Sequence, residues 1–139
     1  MNANKQVTFA VALLAGLTAG AARSAPSETL KPLLQQALPD IPGKKLTAVQ
    51  VMFPPGAKST PHRHGGAFLY AYVLAGEIRS QIEGQPPHVY RIGDSWTEKP
   101  GDHHVVTENV STKQSARLLV VFVSNTGDPL KTDDPAKEP

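Results

Sequence analysis

Two short histidine clusters are the part of this chain best equipped for chemistry. Pro61-His62-Arg63-His64-Gly65-Gly66 and, about forty residues on, His103-His104 hold four of the five histidines, each cluster beside a Gly/Pro turn. Imidazole is the commonest protein ligand for zinc, copper, iron and nickel. In a strand alternate side chains share a face, so His62 and His64 grip one ion while Arg63 points elsewhere. A third imidazole from a neighbouring strand completes three protein ligands and leaves positions open for water or substrate.

Strands are what the surrounding sequence predicts. From Leu46 the pattern has period two, with Thr47, Val49, Val51 and Phe53 on one face and Ala48, Gln50 and Met52 on the other. Turn signals follow at Pro54-Pro55-Gly56, Gly65-Gly66, Gly76-Glu77, Glu83-Gly84, Gly93-Asp94, Pro100-Gly101 and Asn125 to Pro129. Between them lie apolar or β-branched runs: Phe68 to Leu74, Ile78 to Ile82, His88 to Ile92, Ser95 to Thr97, His104 to Thr107 and Arg117 to Val123. Many short strands at near-regular spacing indicate an all-β sandwich or small barrel. Before Leu46, the stretch Leu30 to Leu38 reads as one or two helical turns ending at Pro39, and the polar, proline-bearing residues Asn125 to Pro139 read as a mobile tail.

Gly56, His62-x-His64 and Gly76 resemble the first conserved motif of the cupin superfamily, and Gly93-Asp94, Pro100, Gly101 and His104 resemble the second. The short stretch between Gly76 and Gly93 is similar to that of small single-domain bacterial cupins. The resemblance implies an all-β double-stranded β-helix, or jelly-roll, barrel over residues 46–124, preceded by a lead segment at 26–45 and followed by a flexible tail at 125–139. It also implies that His62, His64 and His104 hold one divalent ion, with iron, zinc, manganese, nickel and copper all open. His104 fits the motif spacing better than His103, being three residues past Gly101.

Two departures bear on mechanism. The glutamate ligand usual in cupins falls on Leu69, flanked by Phe68 and Tyr70. The second motif carries one extra residue before its proline, and its usual asparagine position is Glu108, with Asn109 one place later. A neutral three-histidine set resembles that of cupins that oxidise thiols or diketones with iron, and it favours an anionic or chelating small-molecule substrate. Glu98 and Glu108 are candidate replacements for the carboxylate, as ligand or general base. Counting by twos from His104 turns Glu108 inward, and Glu98 shares a face with Trp96. Tyr70 and Tyr72 alternate with Leu69, Ala71 and Val73, and tyrosines facing inward would hydrogen-bond a polar substrate. Arg63 and His103 are read as rim or structural residues, and His88 as a loop residue.

The expected function is a metal-dependent oxidoreductase of the dioxygenase type. A lyase or isomerase using the ion as Lewis acid, and a non-catalytic binding module, are the alternatives. The N-terminus has Lys5, an apolar run from Val7 to Gly20 and then small residues, the order of a secretory signal peptide over residues 1–25. The run is too short for a permanent membrane anchor, so a periplasmic or secreted location is expected. Of 14 basic and 12 acidic residues, Lys5 and Arg23 leave with that segment, so no basic surplus supports nucleic-acid binding. With no cysteine, the mature domain relies on its core rather than on disulfides. A homodimer is expected, with the exposed face of the Thr47 to Phe53 strand as its seam.

Overall fold

The structure is a computed structural model, and it describes residues 27–138. The signal-peptide reading of residues 1–25 lies outside the described residues. Within them the chain forms the strands β1 (Thr29–Ala37), β2 (Lys44–Phe53), β3 (His62–Arg63), β4 (Phe68–Ala75), β5 (Ile78–Ile82), β6 (His88–Tyr90), β7 (Ser95–Glu98), β8 (His103–Asn109), β9 (Ala116–Asn125) and β10 (Thr132–Asp133). They build two antiparallel five-stranded sheets, ordered β1-β2-β9-β4-β7 and β10-β3-β8-β5-β6. No helix occurs among the described residues, and the all-β jelly-roll expectation holds.

Period-two burial explains the packing. Thr47, Val49, Val51 and Phe53 of β2 point inward, as do Leu69, Ala71 and Val73 of β4 and Leu118, Val120 and Phe122 of β9. These side chains line the inner face of the first sheet, and Ile78 closes the core from the second. The tyrosines of β4 therefore sit on the outer face, where Tyr70 is exposed.

Two expectations about the chain ends are corrected. Leu30 to Leu38 is not helical: Thr29 to Ala37 pairs antiparallel with β2, with a bulge between Pro32 and Leu34. As an edge strand it tolerates Pro32, whose missing N–H costs no ladder bond on the solvent side. The segment after Asn125 is not a free tail. β10 pairs with β3, and the Asp134 amide donates to the Pro61 carbonyl at 2.8 Å.

One turn is sterically committed to glycine. Gly76, between β4 and β5, has φ +72°, and a Cβ there would lie 2.8 Å from the Cβ of Ala116 and 2.9 Å from its Cα. Gly76→Ala is expected to destabilise the fold by roughly 3 kcal/mol, from left-handed backbone strain plus overpacking. The denaturant midpoint at unchanged m-value measures this.

Candidate metal centre

β3 and β8 bring the histidines together by direct pairing, with His62 opposite His104 across the ladder. His64 follows β3 in a turn whose Ala67 amide donates back to the His64 carbonyl at 3.1 Å. Arg63 faces away and donates to the Gly101 carbonyl at 3.0 Å, while the Gly101 amide donates to Gly65 at 2.9 Å. These bonds tie the histidine turn to the next loop. The result is a cluster of His62, His64 and His104, all buried, offering ring nitrogens within 4.8 Å of one another.

The tautomers of two rings follow from their partners. His62 Nδ1 donates to the Thr60 carbonyl at 2.7 Å, and His64 Nδ1 donates to the Leu130 carbonyl at 2.6 Å. A carbonyl only accepts, so each Nδ1 carries the proton and each Nε2 keeps a lone pair. Burial holds both rings neutral: it pushes His62 down to about 4 and lowers His64 from its ordinary value. His104 sits between a carboxylate and two hydroxyls, with Nδ1 3.0 Å from Glu98 Oε1 and Nε2 at 2.7 and 2.9 Å from Ser80 and Thr107.

Glu98 is the carboxylate of this site. It ends β7, is 2 % exposed, and lies opposite Leu69 in the β4–β7 ladder. Leu69 occupies the position at which the resemblance to cupins expects a glutamate, and its cross-strand partner Glu98 places a carboxylate beside His64 and His104. Trp96 Nε1 donates to Glu98 Oε1 at 3.1 Å. Burial alone would raise its pKa, but the bonds from His104 and Trp96 and the nearby His64 hold it below the usual carboxylate range. Its other oxygen, Oε2, is buried without a hydrogen-bond partner and lies 3.6 Å from His64 Nε2.

That orphaned oxygen is the test of fit for a divalent ion. A buried anionic oxygen without a donor costs about 1–3 kcal/mol or more, and a cation between it and the imidazoles removes the cost. Three imidazoles and one carboxylate suit zinc, iron, manganese, nickel or copper. The residues present fit a metal.

Glu108 lies elsewhere. In the β5–β8 ladder Gln81 pairs with Val106 but Ile82 pairs with His104, so Val105 is an extra residue on β8. This bulge reverses the parity, and Thr107 and Asn109 face inward in place of Val106 and Glu108. Glu108 instead pairs with Lys58 at 2.8 Å and with Arg79, whose ammonium and guanidinium hold its pKa down. Asn109 becomes a structural residue, its Nδ2 donating to the carbonyls of Phe53, Pro54 and Gln114. Tyr70 is on the outer sheet face, away from the histidines. His88 lies in β6 rather than in a loop, its ring edge-on to Tyr90. His103 bridges Asp134 at 2.8 Å and Glu83 at 3.3 Å outside the barrel.

A cavity of about 80 Å³ opens beside the cluster. Its walls include Val51, Phe53, Leu69, Ala71, Trp96, Leu118, Val120 and Phe122, with His62, His64, His104, Glu98 and Thr107 as the polar groups around the cluster. Glu28, Leu130 and Lys131, from the two ends of the described chain, and Ser59, from the loop between β2 and β3, also line it. Sequence reasoning missed Ser80, Glu28, Leu130 and Lys131. Only Ser80 carried a signal, sharing the inward face of β5 with Ile78.

Lys131 Nζ lies 2.7 Å from Glu28 Oε1. Burial opposes the charge on Glu28, but Lys131, Ser27 and Ser59 bring its pKa down to about 2. A pKa depressed in the fold adds stability above the unfolded value of about 4.3. That stability fades as pH falls toward 2. The melting temperature of Glu28→Gln is therefore expected below that of the parent at pH 6, with the gap closing between pH 5 and pH 2.

No curated protein matches the sequence. Among solved structures, the cupin domain of Schizosaccharomyces pombe Cnp3 superposes with TM-score 0.61 at 16 % identity, over 74 % of this chain and 65 % of that one. An oxalate oxidase in complex with glycolate gives 0.60 at 22 % identity, over 80 % and 57 %. The DMSP lyase DddQ from Ruegeria pomeroyi DSS-3 gives 0.53 at 26 %, over 60 % and 41 %. The chain thus spans from about two fifths to just under two thirds of these neighbours' lengths. Residues 49–122 match the cupin domain model, the same stretch that carries all three histidines and Glu98, and the chain belongs to the cupin family.

Proposed function

We propose that the protein is an exported metal-dependent oxidoreductase of the dioxygenase type, acting on a small chelating or anionic substrate at an ion held by His62, His64, His104 and Glu98. The observation that carries this reading is the buried Glu98 carboxylate, which has an unpartnered oxygen and lies beside His64 and His104 of the three-histidine cluster. Such an ion supplies redox chemistry or Lewis acidity when bound. The chain's own residues do the rest. The Thr60 and Leu130 carbonyls fix the rings of His62 and His64, the apolar walls exclude bulk water, and a cavity near 80 Å³ admits only a small molecule. Glu98 changes the charge balance expected from histidines alone, since it reduces the site's charge with a divalent ion from +2 to +1. A monoanion is then the best-matched ligand.

A lyase is the second reading, favoured by the same Glu98. An ionised buried carboxylate at the cavity wall is equipped to take a proton from a bound substrate, and one structural neighbour is a DMSP lyase. Oxygen uptake by the iron-loaded protein with small thiols, diketones and hydroxy acids tests the oxidoreductase reading. Turnover that continues without oxygen in the zinc form would replace it with the lyase. Export is supported by the order of Lys5, apolar run and small residues. Recovery of the protein from the cytoplasm with its N-terminus intact would reject it.

A homodimer through the outer face of the first sheet belongs to the same proposal. Leu46, Ala48, Phe68, Tyr70, Leu119, Val121 and Val123 form a continuous uncharged surface on β2, β9 and β4. Antiparallel sheets that face water usually carry polar residues there. These three strands span roughly 14 Å by 24 Å, on the order of 340 Å² in plan, so the face is the apolar centre of an interface whose rim, toward the ~800 Å² each partner ordinarily buries, comes from the flanking strands β1 and β7. Two copies stacked about a two-fold axis meet no like charges at the centre of this face. Light scattering is expected to give twice the chain mass for the parent and one chain mass for Tyr70→Glu.

A further inference from the structure

Among the described residues Lys131 is the only lysine or arginine lining the cavity, whose other charged groups are Glu28 and Glu98. It precedes β10 and reaches Glu28, which precedes β1, so the two ends of the described chain meet at the cavity through one ion pair. Glu28 is 6 % exposed at its side chain and has donors of its own in Ser27, at 2.6 Å, and Ser59. It is a permanent holder. The second partner of Lys131, Asp133 at 2.9 Å, is half exposed. An exposed ion pair is worth about 0–1 kcal/mol, so a ligand carboxylate displaces it at little cost.

We propose that Lys131 selects the substrate by binding a carboxylate at one end of the cavity while the histidine–glutamate cluster binds a neutral donor atom at the other, an inference that rests on the metal reading above. The substrate class is a short monocarboxylate with a hydroxyl, carbonyl or thioether group at its far end. Charge supports one negative group. Among the groups that line the cavity Glu28 and Lys131 cancel, and Glu98 with a divalent ion leaves +1, so once the ligand has displaced Asp133 from Lys131 a monoanion makes the filled cavity neutral. Size supports a short chain, because about 80 Å³ accepts the equivalent of about five to eight waters. The apolar part of the lining, including Val51, Leu118, Val120 and Leu130, offers no hydrogen bond from its side chains and suits methylene groups.

The test is calorimetric binding of 3-hydroxypropionate and of its amide to the zinc-loaded protein, after a zinc titration against a competing chelator. The acid is expected to bind at least about tenfold tighter than the amide, the value of one charge-assisted hydrogen bond. Lys131→Met is expected to bring the two within about twofold, with zinc affinity within about threefold of the parent, because the lysine touches no ligand atom. Lys131→Met leaves Glu28 without its partner, so Glu28→Gln/Lys131→Met serves as the variant in which no charge is stranded. Equal binding of acid and amide by the parent, or a preference for the acid that survives in the double variant, overturns the role of Lys131 and leaves the metal centre standing. Failure of the parent to take up zinc overturns both.

Discussion

Glu98→Gln is expected to weaken divalent-ion binding by about a hundredfold, on the scale by which altered metal-site partners reduce affinity. The variant keeps the shape of the side chain and removes its charge, so Trp96 retains an acceptor and the fold should persist. The decisive companion is a swap. Leu69 and Glu98 are direct partners across β4 and β7, and both are buried, at 3 % and 2 %. Cross-strand partners hold their Cβ atoms about 4.5–5.5 Å apart, so Leu69→Glu/Glu98→Leu returns the carboxylate to the position usual in cupins without changing the volume or charge of the pair. Ion affinity in the swap is expected to recover to within about tenfold of the parent; the remaining loss follows from the lost bonds of Trp96 and His104 to the acid. Leu69→Glu alone places two carboxylates in one small site, and it should melt below the parent without metal and regain more of that loss on adding zinc. Parent-like zinc affinity in Glu98→Gln removes Glu98 from the ligand set. A swap no better than Glu98→Leu alone means that the direction of approach, and not the presence of an acid, is what the histidines require.

The contrast between Glu98 and Glu108 shows where residue spacing stops being a guide. Both follow from counting by twos, and the count succeeds for Glu98 because β7 runs without interruption from Trp96. It fails for Glu108 because Val105 is bulged out of the β5–β8 ladder, and nothing about a valine between a histidine and a valine announces a bulge. The histidines themselves were readable because His62 and His64 flank one residue and His104 follows Gly101 at the motif's spacing, and the structure then sets His104 opposite His62. The tyrosines of β4 were readable only as a set, since alternation says which residues share a face and not which face is inside. Every residue of β1 is exposed, so burial imposed no period-two pattern on Leu30 to Ala37, and the apolar cluster was read as helical.

Removal of residues 130–139 is expected to lower ion affinity by about 10- to 100-fold and to lower the melting temperature, although this segment has the composition of a disordered tail. Its effect on the site runs through backbone, which composition does not record. The Leu130 carbonyl is the acceptor that fixes the His64 tautomer, and without it water competes for Nδ1 and the ring is free to turn. β10 pairs Asp133 with His62 and Thr132 with Arg63, so the strand that carries one ligand loses an edge neighbour. Asp134 leaves His103 with only the exposed Glu83, and Glu28 is stranded beside the cavity without Lys131. A chain ending at Thr132 separates these contributions, because it keeps the carbonyl and the lysine while giving up Asp133 and Asp134. Zinc affinity near the parent's in that shorter truncation, with the loss appearing only when Leu130 to Thr132 are also removed, assigns the effect to the ring-fixing carbonyl of Leu130. Equal loss in both assigns it to the β3–β10 pairing. No loss in either would show that His64 finds its orientation without the segment, and that its bond to Leu130 is dispensable to the metal centre.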